Sequence, residues 1–443
     1  MANIYADQMV LQMAPKSTQI WGFGTAGTSV SVSVNGQQVG ATVDAGGTWR
    51  VRLAPENAGG PYTLTATHST DSVSINVWFG DVWMMDPTGE TNKAVQYQNI
   101  RIMQVANAFT SSEQEEVKNV PNFSALCIMF GERMSDSLGN SRPIGLIDST
   151  WGGTYIEAWS SNDVFTACNT PGNPGTNQNA NHALWNAMMH PLTNMAARGA
   201  IWYQGESNVG YNADYYGCHM QNLVNDWRNK FVDGNVPVPG EGNHAFPFGI
   251  VQIGPFSGGG TSGWGYLRWH QSVDVGTLPN SFIPEGFMAA AYDTTDPSSP
   301  TGDIHPRDKP TVADRLSRAA KNLLYGENWS TNGPTPVSTS FSTNAVTIVY
   351  DRNIRQPTGT TGFSVRYNGG AWQETSITSS TANSVTVAYD SSMTNTELAY
   401  AWQGVVCDYM QCSIYSDDAE ALPAQVWYWN LANIKMHQSA RSH

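Results

Sequence analysis

Between residues 79 and 324, short apolar runs alternate with stretches of helical periodicity, and this alternation does more than any motif to limit the fold. The runs are Phe79–Met85, Ile144–Ile147, Ala200–Tyr203, Phe248–Ile253 and Phe287–Tyr292. Each reads as a strand buried on both faces. Helical spacing of apolar residues appears at Leu126–Leu138, His182–Ala197, Tyr215–Phe231 and Thr311–Leu324. Strands that alternate with helices predict an α/β domain with a parallel sheet. In such sheets, ligands and catalytic groups gather at the carboxyl ends of the strands.

The flanks read differently. Residues 1–78 alternate with period two at 19–25, 29–34, 48–53, 62–67 and 72–77, with Asn35-Gly36, Gly46-Gly47 and Gly59-Gly60-Pro61 as turns. Beyond Glu327 the alternation returns at 345–350, 362–367, 384–389, 397–402 and 424–429. These strands either form a second β-module or complete the first. The expected division is a β-domain over 1–78, the α/β domain over 79–330 and a β-rich region over 331–443. The Gly-rich run 254–265 reads as a surface loop.

Charge narrows the partners. The chain has 22 basic and 36 acidic residues, a formal charge of −14, and no basic cluster. Phosphate neutralisation requires clustered Lys and Arg, so nucleic acid is excluded as an expectation. No apolar stretch reaches bilayer length, and residues 1–20 lack the pattern of a secretion signal. The expected location is cytoplasmic, with a secreted or lysosomal protein whose leader has been removed as the alternative. Five cysteines are an odd number. Cys407 and Cys412 are spaced to pair, but buried free thiols are the plainer expectation. Asn122 and Asn328 head glycosylation sequons. The histidines show no metal-ligand spacing, no phosphate-binding glycine loop follows a strand, and no cofactor is expected.

Three blocks carry candidate chemistry. In the first, Ile144–Ile147 leads into Trp151-Gly152-Gly153-Thr154. Adjacent glycines at a strand tip expose backbone N–H groups of the kind an oxyanion hole uses, although a tight turn needs glycine equally. In the second, Ala200–Tyr203 leads into Gln204-Gly-Glu206-Ser-Asn208, where amide and carboxylate groups crowd the tip of a buried strand. In the third, Asp303-Ile-His305 sits on a short loop between strand and helix, an imidazole placed for general-base work with a carboxylate two residues upstream. A capping loop would use the same residues.

Taken together, Phe79-Gly-Asp-Val-Trp, Trp151-Gly-Gly-Thr, Ile156-Glu-Ala-Trp-Ser-Ser, Trp202-Tyr-Gln-Gly-Glu-Ser-Asn, Arg268-Trp-His-Gln and Ile304-His-Pro-Arg-Asp-Lys resemble the sialate O-acetylesterases, a family of the SGNH (GDSL-like) hydrolases. The resemblance implies a flavodoxin-like three-layer α/β sandwich with an accessory β-sandwich formed by the N-terminal and C-terminal strands. It also implies cleavage of acetyl esters from sialic acids. His305 matches the catalytic histidine, and Gly153, Gln204 and Asn208 fall in the blocks that supply the oxyanion hole.

One block departs from the pattern. In the family, Gly-Asp-Val-Trp runs into Gly-Gln-Ser-Asn-Met, whose serine is the nucleophile. Here Trp83 runs into Met84-Met-Asp-Pro-Thr-Gly-Glu-Thr-Asn, and the nucleophile block reads as deleted. Thr91 is a weak substitute, because a β-branched side chain is stiff about χ1. The expectation is therefore a catalytically inactive relative, kept as a binding or structural component. Its partner would be an acetylated sialic acid, another glycan, or a protein assembly such as a cytoskeletal lattice. The alternative is an active carbohydrate esterase, a carboxylic ester hydrolase in which His305 serves a displaced hydroxyl.

Overall fold

The structure, a computed structural model, describes residues 1–69, 71–87, 97–105, 114–116, 123–172, 175–233, 246–260 and 263–431. It has two units: Met1–Gln204 with Gln221–Gly249 and Ala320–Glu327, and Gly205–Met220 with Ile250–Ala319 and Asn328–His443.

The first unit is built on one strand of 17 residues, Asp71–Pro87. Its first half closes an antiparallel meander of Ser29–Val34, Gln37–Thr42 and Gly59–His68, with Leu64 opposite Ile75. The hairpin turn at Asn35-Gly36 holds both residues at positive φ, which their small or absent side chains tolerate. Met9–Gln12 adds a parallel neighbour. The second half of the strand enters the α/β sheet, pairing in parallel with Ile144–Asp148 on one side and Gly199–Tyr203 on the other. Ile100–Val105 continues the sheet beyond Ile144–Asp148. Position 78/79, read as a domain boundary, lies inside this strand.

Where the strand passes from one sheet to the other, Gly80 and Asp81 hold it. A Cβ at Gly80 would lie 2.0 Å from the Pro143 carbonyl oxygen. The buried Asp81 carboxylate accepts from Arg142 Nη1 at 2.7 Å and Tyr325 Oη at 3.0 Å, with Arg198 Nε at 3.8 Å. Buried charge persists only when paired in this way.

Packing follows from the apolar runs. Ser124 caps helix Ala125–Ser137, its side chain accepting from the Cys127 amide. Phe130 of that helix meets Trp83 edge to face, with centroids 5.1 Å apart. A second row of rings links Trp159, Trp202, Trp227 and Phe248. The helix expected over His182–Ala197 is instead a π-turn at Trp185–Met189 followed by a 3₁₀ turn at His190–Asn194. Pro191 has no N–H to continue an α-helical ladder, and the His190 amide reaches back to Trp185 O.

In the second unit, the buried strand Gly286–Ala290 precedes the loop that carries His305. The C-terminal strands pair among themselves in two four-stranded sheets. One contains Pro336–Ser342, Ala345–Tyr350, Ser384–Ala388 and Ile377–Ser380. The other contains Gln373–Thr375, Phe363–Tyr367, Thr396–Tyr400 and Trp427–Asn430. Val346, Ile348, Val385 and Val387 from the first share a core with Phe363, Val365, Leu398 and Tyr400 from the second.

Two readings need correction here. The Gly-rich run 254–265 is not all surface loop, because helix Gly263–His270 begins within it and Trp264 is buried. A Cβ at Gly265 would lie 2.4 Å from Trp402 O, so glycine there serves close packing. The cysteines are also mostly bonded. Cys407 pairs with Cys412, Cys168 and Cys218 are each disulfide-bonded, and Cys127 is a buried thiol outside the disulfides.

Two outcomes follow from this architecture. Gly80→Ala forces a methyl group into a backbone carbonyl and should cost about 3 kcal/mol in urea unfolding; an unchanged midpoint would contradict the close approach. Alkylation of the denatured, unreduced chain should label Cys127 alone, and labelling of all five cysteines should require prior reduction.

Candidate functional site

In the first unit, the strand Asp71–Pro87 lies between two parallel strands added on opposite sides. That is the switch point where doubly wound sheets leave a crevice at their carboxyl ends. Thr91, which follows this strand in sequence, lies outside the described residues.

Ile144–Asp148 ends in a carboxylate that the sequence reading passed over. Asp148 is 1% exposed and pairs in register with Met85. Its Oδ2 accepts from the Ser124 amide at 3.1 Å, while Oδ1 has no partner among the described residues. Burial pushes this carboxyl up to about 6, against hydrogen bonds from Thr150 and Ser124 that favour the charged form. The only sequence cue was a single acid ending an apolar run.

The turn that follows is tightly tied. Thr154 Oγ1 donates to Trp151 O at 2.7 Å and accepts from Trp159 Nε1 at 2.9 Å. Gly152 and Gly153 are exposed, and Gly153 has φ +74° with open space where a Cβ would stand. Gln204, which is buried, donates from Nε2 to Thr154 O at 2.8 Å. The structure therefore brings the glycine pair and Gln204 together, and one amide proton of Gln204 is used to brace the turn.

In the second unit, Gly205 at φ +148° opens the 3₁₀ turn Glu206–Asn208. A Cβ there would lie 2.3 Å from Leu267 Cδ2, so only glycine fits. Asn208 is fully buried and donates to Tyr211 O at 3.3 Å, which ties down the turn. Burial raises the Glu206 carboxyl above its ordinary range. Its own backbone amide and the neighbouring Lys309, His305 and Arg268 oppose that shift. Arg268 is itself buried and is committed to the carbonyls of Ile253, Gly254, Ala401, Gln403 and Gly404.

His305 is exposed, and its loop is rigidly held. Its amide donates to Gly302 O at 2.9 Å, and Ser299 Oγ donates to its carbonyl at 2.6 Å. Nδ1 lies 3.2 Å from Thr301 O. Donation from Nδ1–H to that carbonyl leaves Nε2 as the proton acceptor. Asp303 accepts from the Ser257 amide at 2.7 Å rather than from the imidazole, and hydrogen bonding from the Ser257 side chain, then from its amide, holds the carboxyl below the usual range. Arg307 forms a fork on Asp296 at 2.7 and 2.8 Å. Asp308 accepts from the Thr311 amide and hydroxyl and from Tyr409 Oη at 2.7 Å. The imidazole thus has the Thr301 carbonyl, and not the Asp303 carboxylate, at its Nδ1.

Residues 90–241 match the family described as "Carbohydrate esterase, sialic acid-specific acetylesterase", and residues 335–431 match the "Sialate O-acetylesterase C-terminal domain". Sialate O-acetylesterases of Homo sapiens and Pongo abelii are 36% and 35% identical over 481 aligned positions, covering 96% of this chain and 91% of each relative. The Mus musculus protein is 32% identical over 507 positions, covering 96% of this chain and 93% of the relative. These alignments exceed the 443 residues of the chain, so the relatives carry segments it lacks. A solved carbohydrate acetylesterase from Xanthomonas citri superimposes with a TM-score of 0.76 at 26% identity, covering 96% of this chain and 98% of that one.

Asp148 yields a pH prediction. Its folded value lies above the ordinary 3.8, so it favours folding only while protonated. That contribution is complete below about pH 4 and lost as pH rises through about 6. Asp148→Asn, which keeps the acceptor for Ser124, should be more stable than the parent by roughly 3 kcal/mol at pH 7 and equal to it below pH 4. Parallel pH–stability curves for the two proteins would refute this.

Proposed function

Because the chain belongs to the sialate O-acetylesterase family, we propose that it is a glycan-binding member that holds an O-acetylated sialic acid, or a related acetylated glycan, without cleaving it. The sequence after Trp83 carries this reading, since no serine occurs there until Ser111. Loss of the nucleophile from a triad removes nearly all covalent catalysis and leaves only the residue due to binding and charge stabilisation. The turn of Asp303 toward Ser257 supports the same reading. A carbonyl behind His305 fixes the tautomer but brings no negative charge to steady an imidazolium.

A second reading, an active carbohydrate esterase with a displaced hydroxyl such as that of Thr91, is favoured by one observation. His305 is exposed, its Nδ1 is occupied, and Nε2 is left to accept a proton. Location also enters as a proposal. The disulfide-bonded cysteines and the exposed Asn328 of a sequon support a secretory or lysosomal compartment over the cytoplasm.

Acetate release from the methyl glycoside of an O-acetylated sialic acid separates the two readings. The expected rate for the wild type equals that of His305→Ala. A wild-type rate about a hundredfold above that variant would establish the esterase instead.

A further inference from the structure

The hexapeptide Cys407-Asp-Tyr-Met-Gln-Cys412 is closed by its own disulfide and presents two large apolar side chains to solvent. Tyr409 is 51% exposed and Met410 37%. Among the described residues, they are the only large exposed hydrophobics adjacent in sequence. Isolated exposed apolar residues need no explanation, but a neighbouring pair held rigid beside a candidate catalytic loop does.

The pair is held from several sides. Thr295 Oγ1 donates to Cys407 O at 2.7 Å, and the Met410 amide donates to Asp293 O at 2.8 Å. Arg315, forked on the buried Asp293, also points Nη2 at Met410 Sδ, 3.8 Å away. Met410 itself sits at φ +56°, a conformation that a non-glycine residue keeps only when its surroundings impose it. Tyr409 Oη donates to Asp308 Oδ2, three residues after His305 on the same loop. The hydroxyl is therefore anchored while the ring face stays in water.

We propose that Tyr409 and Met410 form an apolar platform on which the sugar ring of an acetylated glycan rests beside His305. A sugar offers a C–H face to an aromatic ring and hydroxyls to the polar rim. An aromatic ring fixed before the ligand arrives lowers the entropy cost of binding. The ring face suits a pyranose with an apolar C–H face, and the acetyl group follows from the family. This rests on the glycan-binding reading above and adds the residues that would select the ligand.

The test uses the full chain and a methyl sialoside in which an amide replaces the acetyl ester, so that turnover cannot blur the titration. Wild type should bind, Tyr409→Ala should bind about tenfold more weakly, and Tyr409→Phe, which keeps the ring and loses the anchor, should fall between them. The Met410 methyl resonance should shift as the sugar is added, which a remote structural effect of residue 409 would not produce. Equal affinity in Tyr409→Ala, with a silent Met410 methyl, overturns the platform and leaves the binding reading intact. Failure of the wild type to bind the sialoside overturns both.

Discussion

The passage of one strand between two sheets is the constraint on which the first unit depends. At Gly80 the backbone comes so close to Pro143 that no side chain fits. One residue later, a buried carboxylate gathers Arg142, Tyr325 and Arg198. These contacts fix the height at which Asp71–Pro87 enters the parallel sheet, and hence the level of its carboxyl end relative to Asp148 and Tyr203. The Gly-Asp-Val-Trp string therefore works structurally: Gly80 and Asp81 seat the strand, while Val82 and Trp83 fill the core.

Much of this was legible in the sequence because fully buried strands read as unbroken apolar runs. Ile144–Asp148, Gly199–Tyr203 and Phe248–Gln252 lie within a residue of their expected limits. Half-exposed strands such as Gln37–Thr42 and Pro336–Ser342 passed unnoticed, since their apolar residues are sparse. The segment around Pro191 kept a helical pattern of apolar residues but could not keep the helical ladder. Periodicity reports which faces are buried, and hydrogen bonding decides the element.

The site divides in the same way. His305 could be picked out by residue type and position, whereas the direction of Asp303 could not. Its side chain is set by Ser257, 46 positions away, a contact with no local signature. Gln204 read as a possible oxyanion donor, and the structure uses one of its protons to brace Thr154. Asp148 escaped notice because a single acid at the end of an apolar run looks like the start of a turn. The disulfides escaped because an odd number of cysteines in a long chain suggests free thiols.

The long strand also bears on how such a chain can be rearranged. A recombination point near residue 78 would look natural from composition, because the alternating pattern gives way to apolar runs there. Yet a break at that point would cut through one continuous strand, parting Leu11, Gln12 and Gly59 from their partners Phe79 and Gly80 on one side and removing the lead-in to Gly80 on the other. The amino-terminal meander and the parallel sheet thus share one strand that neither can lose. A junction that spares both sheets falls instead at the loops that bound the self-paired C-terminal sheets.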